Sequence, residues 1–265
     1  MSVVKNEFPI LEYDSEKNGV IKPNRRSRTL LPEICVMTFF REVLENFIIK
    51  NNCEVRNTYN SEMSDLPVYV VKYRGVEMCV VQAVVGSPSI AMETDFLAGY
   101  GVKKIIACGG CGVLENIPVG DVIIPVSALR DEGASYHYLP PSRDIQLDAD
   151  MISIIKSTLI DNNVPFIECK TWTTDGFYRE TPDMIQYRKE EGCQVVEMEC
   201  ATIASVARFR DIKFGQLLYS GDILIDVSNY DEREWSSNSS REKLFLLSLE
   251  VAFKLYNNRY NYIIS

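Results

Sequence analysis

Val195-Val196-Glu197-Met198-Glu199-Cys200-Ala201-Thr202-Ile203-Ala204 is the stretch that decides the fold. A β-branched pair runs into two carboxylates flanking a methionine, and small and apolar residues then recur at helical spacing. Cys200, Ala201, Ala204 and Ala207 would let a helix backbone lie close against a neighbour, while Ile203 and Val206 would face a core. A strand therefore ends, and a helix starts, at the glutamates. Two readings of Glu197 and Glu199 stand side by side. An anionic first turn compensates a helix dipole and caps its N–H groups. A carboxylate at the carboxyl end of a parallel strand, where open α/β sheets place their ligands, can also accept two hydrogen bonds from a vicinal diol such as that of ribose.

Outward from this centre, strand and helix signals alternate. Ile34–Met37 reads as a strand and Phe39–Lys50 as a helix with apolar residues at 39, 40, 43, 44, 47 and 48. Strands at Val68–Tyr73 and Val76–Val85 are joined tightly at Arg74-Gly75, a hairpin signal. Gly86-Ser87-Pro88-Ser89 opens a helix through Tyr100. Lys103–Gly109 and Asp121–Ala128 read as strands, 149–162 and 181–191 as helices, 164–173 and Phe214–Ser220 as strands. The tail from Ser239 to Asn258 has long amphipathic spacing, with Leu244, Leu247, Val251 and Leu255 on one face. The pattern predicts one α/β domain over residues 1–265 with a central mixed β-sheet flanked by helices, preceded by a polar N-terminal extension, 1–30. The segment from Arg130 to Arg143 carries no periodicity and is long enough to be functional.

The totals narrow the function. A chain of 265 residues can bury a full core. A net charge of −9 argues against a nucleic-acid surface, which needs a basic face. No apolar run approaches the roughly 18 residues of a membrane span, and Met1–Phe8 has no apolar signal core, so a cytoplasmic protein without a membrane partner is expected. Eight cysteines, mostly inside apolar runs, read as reduced core residues. Cys108-Gly109-Gly110-Cys111 could be a redox pair or half a zinc site. Zinc needs further ligands, and the chain has one histidine, His137, so no metal is expected. A reactive dithiol usually opens a helix, whereas these cysteines read as part of a glycine-rich turn.

Three ordered sets of segments resemble the nucleoside phosphorylase superfamily, which includes purine nucleoside and uridine phosphorylases and methylthioadenosine/S-adenosylhomocysteine nucleosidases. The first joins Val85-Gly86-Ser87-Pro88-Ser89, Cys108 to Val113 and Val119 to Ile124. The second joins Gly133 to His137 with Thr174-Asp175-Gly176-Phe177-Tyr178. The third joins Val196 to Ala201 with Ser220-Gly221-Asp222. The resemblance implies a partly closed sheet and a homo-oligomer, a dimer or trimer of dimers, in which neighbours complete each site. It implies a nucleoside substrate, inorganic phosphate as co-substrate and no cofactor. Carried over by position, Glu199 would accept the ribose diol, with Glu197 beside it and Met198 beneath the sugar. Phe177 would stack on the base, or else be ordinary core. Asp222 would serve the purine N7, although the family usually has serine directly before this aspartate and here Gly221 intervenes. A carboxyl walled off from water has a raised pKa and can protonate a departing base. Asp175 is a second, more structural candidate, and His137 reads as loop packing.

The phosphate signatures of the family are absent. The first-strand loop reads Met37-Thr38-Phe39-Phe40-Arg41-Glu42 in place of a Gly-Asp-Pro loop, and Ala107 stands where an arginine is usual. Arg25, Arg26, Arg41 and Arg130 are candidate replacements, and the N–H groups of Gly109 and Gly110 could cradle an oxyanion. The expectation is phosphate-dependent cleavage of a nucleoside, leaning to purines, into free base and ribose 1-phosphate. Alternatives are a pyrimidine phosphorylase reading its base with Arg179, a nucleosidase using Glu42 to activate water, and a nucleoside-binding protein without turnover.

Overall fold

A computed structural model describes residues 3–24, 29–118, 121–225 and 238–264. In chain order, the strands β1 (Val3–Val4) and β2 (Tyr13–Asp14) pair in the N-terminal segment, and β3 (Ile34–Thr38) leads into α1 (Arg41–Asn51). Three strands follow, β4 (Glu54–Asn60), β5 (Asp65–Tyr73) and β6 (Val76–Gln82), then α2 (Ser87–Gly99), β7 (Lys104–Val113) and β8 (Val122–Asp131). The short β9 (Asp144–Gln146) precedes α3 (Ala149–Asp161), β10 (Phe166–Thr174) and α4 (Pro182–Glu190). The chain ends with β11 (Cys193–Glu197), α5 (Cys200–Phe209), β12 (Lys213–Ile223) and α6 (Asn238–Ile264).

The main sheet runs β11-β10-β8-β12-β7-β3-β6-β5-β4 and mixes parallel with antiparallel pairs. Because β11 also pairs with β7, the strands β7, β12, β8, β10 and β11 close into a ring, while β3, β6, β5 and β4 extend from it as an open wing. The mixed, partly closed α/β sheet is therefore present as expected. The small-residue face of α5 is buried throughout, Cys200, Ala201, Ala204 and Ala207 included. The hairpin at Arg74-Gly75 has positive φ at both residues, 48° and 85°, as a two-residue turn matching strand twist requires.

Two local expectations are corrected. Strand β4 gave no sequence signal, since Glu54, Arg56, Asn57 and Asn60 interrupt any apolar alternation on this exposed edge. Cys108-Gly109-Gly110-Cys111 is not a turn. It lies inside β7, in register with Leu217 to Ser220 of β12. The glycines serve close packing: a Cβ on Gly109 would stand 2.9 Å from Phe39 Cδ2, and one on Gly112 would stand 2.7 Å from Leu224 Cδ1. Both thiols are buried and free, and burial pushes Cys108 up to about 11 and Cys111 well above the ordinary thiol value. Neither is poised as a thiolate. Among the described residues, no helix is long and apolar enough to cross a membrane.

Candidate functional site

The parallel strands deliver their carboxyl ends to one cavity of about 530 Å³, within the roughly 300–1,000 Å³ of small-molecule sites. Its walls include Phe39 and Phe40 after β3, Gly110 and Gly112 of β7, Glu197, Met198 and Glu199 between β11 and α5, and Asp222 of β12. A larger opening of about 680 Å³ lies over β4 and α2. Its Asp95 and Arg210 are paired with each other at 2.5 Å, so it offers less unsatisfied chemistry.

The two glutamates after β11 divide the two readings between them. Glu197 is buried and fully engaged: one oxygen accepts from Thr171 Oγ1 (3.2 Å) and Thr173 Oγ1 (2.6 Å), the other from the N–H groups of Glu199 (2.7 Å) and Cys200 (2.6 Å). It ties β11 to β10 and caps α5, which leaves no free lone pair directed at a sugar; the expected ribose contact by Glu197 is replaced by a structural one. Glu199 accepts the N–H of Gly86 at 2.6 Å, with the Met198 backbone also bonded to its carboxyl. Burial, and then the charge of Glu197, push its carboxyl up to about 8. It faces the cavity beside Met198 with acceptor capacity to spare.

Asp222 approaches from the other side. The β7–β12 register shifts between Ser220 and Ile223, so Gly221 and Asp222 bulge from the ladder, a device that re-aims side chains. Asp222 is 6% exposed and lies against the Gly112 wall, where a Cβ would come within 3.5 Å of its Oδ1. Phe177, on a short 3-10 turn after β10, is 51% exposed at the rim and so is no core residue. Glu199, Met198, Phe177 and Asp222 thus share one cavity.

Other expected groups lie elsewhere. Arg130 is buried in its own loop, donating to Ser135 Oγ, Pro140 O, Ser142 Oγ and Leu139 O, and stacking 4.4 Å from the Tyr136 centroid. It organises the 130–143 segment and does not reach the cavity. Arg41 is solvent-exposed on α1, 3.8 Å from Glu45. Arg179 is exposed and folds back over Gly176, outside the cavity lining. Gly110 lines the cavity, but Gly109 sits beneath Phe39. Asp175 is structural, accepting from Ser87 Oγ (2.5 Å) and Gly133 N (2.8 Å). His137 is exposed and outside the lining. Arg25, Arg26, Val119 and Gly120 lie outside the described residues.

Glu42 does not line the cavity either. Its Oε1 accepts from Arg241 Nη1 at 2.6 Å, and although burial raises its pKa, the guanidinium outweighs that and holds the carboxyl below its ordinary value. Arg241, from α6, was missed by the sequence reading. Its Cζ lies 5.5 Å from the Phe40 ring centroid and its Nε donates to Tyr219 OH at 3.3 Å. Of the described cavity-lining residues it is the one cation. Gln216 and Glu180 were missed as well. Gln216 is 1% exposed and its Oε1 is buried without a partner. Glu180, half-buried, joins the wall beside Phe177, and burial followed by the charge of Asp222 pushes it up to about 7.

A family model described as the phosphorylase superfamily matches residues 33–252. The chain is 27% identical to a DeoD-type 2 purine nucleoside phosphorylase of Aliivibrio fischeri over 224 residues, 80% of this chain and 88% of that one. It is 26% identical to a guanosine phosphorylase of Halorubrum lacusprofundi over 146 residues, 55% of this chain and 61% of that one. The crystal structure of purine nucleoside phosphorylase from Toxoplasma gondii superimposes with a TM-score of 0.74 at 18% identity, covering 90% of this chain and 96% of that one. The match to the family model runs from the start of β3 into α6 and takes in every strand and turn that lines the cavity, which makes this chain a member of the phosphorylase superfamily.

Proposed function

We propose that the chain is a nucleoside phosphorylase that cleaves the N-glycosidic bond of a purine nucleoside, with inorganic phosphate as acceptor. The observation that carries this reading is the convergence of Glu199, Met198, Phe177 and Asp222 on one cavity. Glu199 accepts the sugar hydroxyls over the Met198 floor, and Phe177 at the rim covers one face of the base. As the C1′–N9 bond breaks, its electron pair passes to the base. Asp222, shielded from water, supplies a proton at N7 and so lowers the energy of the departing anion. A phosphate oxygen then bonds to C1′, giving ribose 1-phosphate. With Ala107 unable to hold phosphate, Arg241 and the buried amide of Gln216, which stands in register with Ala107, are the groups assigned to it.

Hydrolysis is the second reading, favoured by the four carboxylates against one guanidinium, itself bonded to Glu42, among the described residues of the cavity lining. Glu42 is not its base in this geometry, because that carboxylate lies outside the cavity lining. A nucleoside panel incubated with and without phosphate separates the two. Ribose 1-phosphate, formed only with phosphate, supports phosphorolysis; free ribose at an equal rate in both supports hydrolysis. Base release from no nucleoside under either condition would overturn the enzymatic reading.

A further inference from the structure

We propose that Asp175 is a positioning residue for sugar recognition: through Ser87 it holds the Gly86 N–H on Glu199, and so aims that carboxylate at the ribose diol. This rests on the nucleoside reading above and adds to it the part that fixes the sugar-binding group. Asp175 lies outside the cavity lining and acts through its neighbours. Both of its oxygens are engaged: Oδ1 accepts from Ser87 Oγ at 2.5 Å and Oδ2 from Gly133 N at 2.8 Å. The three residues belong to the turn after β10, the start of α2 and the segment after β8, so one side chain pins three loops together. Ser87 is 0% exposed, where a hydroxyl without a partner is costly, and Asp175 is the acceptor it donates to.

Gly86 needs such an anchor. Its φ of 92° is one that side chains disfavour, and a Cβ there would meet nothing within 4 Å, so the residue is held by no packing of its own. Two carboxylates bracket the turn instead. The buried Glu93 of α2 accepts from Val84 N at 3.1 Å on one side, and Asp175 takes Ser87 on the other. Gly86 O is tied into the first turn of α2, accepting from Ile90 N at 3.1 Å. Held between these points, the Gly86 N–H meets Glu199 Oε1 at 2.6 Å. The further bond to the Glu199 carboxyl comes from the adjacent Met198 backbone and does not tie it to another element. A carboxylate fixed at one oxygen keeps its remaining lone pairs in set directions, which acceptance from two vicinal hydroxyls requires. Phe177 is not on this path. Its turn is tied separately, by Gly176 N donating to Thr174 Oγ1 at 3.0 Å and Arg179 N to Gly176 O at 2.6 Å. Releasing Ser87 should therefore loosen the grip on the sugar and leave the stacking of the base intact.

The test is titration calorimetry of inosine and adenosine, each against its 2′,3′-dideoxy analogue, on the whole chain. For the nucleoside it binds better, wild type should favour the diol at least about tenfold, as a hydrogen bond to a charged acceptor allows. Ser87→Ala cuts the link and leaves both carboxylates in place; the ratio should fall to about threefold or less, chiefly by weaker binding of the ligand that carries the diol. Asp175→Ala should do the same. Asp175→Asn should keep a ratio near that of wild type, because its amide oxygen accepts from Gly133 N and its N–H₂ donates to Ser87 Oγ with the hydroxyl reversed. Burial, and then the charge of Glu197, do most to raise the Glu199 carboxyl, and the charge of Asp175 adds to them; the asparagine variant removes that charge and keeps the bonds, which separates charge from positioning. A purely structural loss would lower the urea midpoint and weaken diol and dideoxy ligands alike, leaving their ratio where it was. A wild-type ratio retained in Ser87→Ala, or a ratio lost equally in Asp175→Asn and Asp175→Ala, overturns the positioning role and leaves the nucleoside reading standing. A wild type that binds neither nucleoside overturns both. Equal wild-type binding of diol and dideoxy ligands overturns the assignment of Glu199 to the sugar, and this inference with it.

Discussion

Replacing each of the two neighbouring glutamates by alanine should separate a residue that holds the fold from one that holds a ligand. In Glu197→Ala the N–H groups of Glu199 and Cys200 lose their acceptor at 2.7 and 2.6 Å at a buried position. Each unsatisfied buried donor costs roughly 1–3 kcal/mol, so about 4 kcal/mol is lost before any void is counted, while the hydroxyls of Thr171 and Thr173 can turn to other acceptors. In Glu199→Ala the N–H of Gly86 loses its 2.6 Å acceptor, and the weaker bond from the Met198 backbone goes with it. That loss is offset because the carboxyl removed is one whose ionisation burial opposes, and the net change should be about 1 kcal/mol. Urea unfolding followed by fluorescence of the buried Trp172 reads both, and Glu197→Ala should be the less stable by about 3 kcal/mol. Activity should divide the other way: Glu199→Ala, still folded, should lose sugar recognition. Equal destabilisation by the two substitutions, or a Glu197→Ala midpoint close to wild type, would refute the division of labour.

Stability should also fall as pH rises. Glu199 and Glu93, each pushed up to about 8 chiefly by burial, have folded pKa values above their ordinary ones, so the stability they favour is present in acid and is lost between about pH 5 and 8. Glu93→Gln and Glu199→Gln should each flatten that decline in urea midpoints, and a wild-type midpoint constant over this range would contradict the assignment. Asp222→Asn should cut turnover of purine nucleosides about a hundredfold or more while changing binding little, since it removes the proton and keeps the shape; an unchanged rate would take Asp222 out of the mechanism. Gly112→Ala should weaken base binding more than it destabilises the chain, because the added methyl intrudes beside Leu224, Val196 and Asp222; calorimetry on purines checks this. Of the eight thiols only Cys53 is part-exposed, so an aromatic disulfide reagent should titrate one thiol per folded chain, and rapid reaction of Cys108 or Cys111 would revive a redox role.

The helix signal after Glu199 and the hairpin at Arg74-Gly75 were legible because each rests on local rules, close packing by small residues and positive φ. The Cys108–Gly112 stretch misled because glycine marks turns far more often than it marks a strand pressed by neighbours, and Phe39 and Leu224 are remote in sequence. Glu199, Met198, Phe177 and Asp222 were assigned by resemblance, and their meeting in one cavity follows from strand order, which no single segment encodes. Arg241 could not be found that way. It sits on a helix whose periodicity describes only its own buried face, and nothing nearby indicates that it returns to Phe40 and Glu42. Arg130 was the converse, a cation in an irregular, polar segment that folding spends on its own carbonyls.

That α6 supplies the guanidinium beside Phe40 has a consequence for biosynthesis. The described sheet and its carboxylates are complete once β12 has been made, but the one guanidinium among the described residues of the lining joins only when residue 241 has cleared the ribosome and α6 has docked. A nascent chain halted before that point would lack the one guanidinium found among the described residues of the lining, so if Arg241 holds the acceptor as proposed, phosphate capture would report on synthesis and docking of the helix past residue 241.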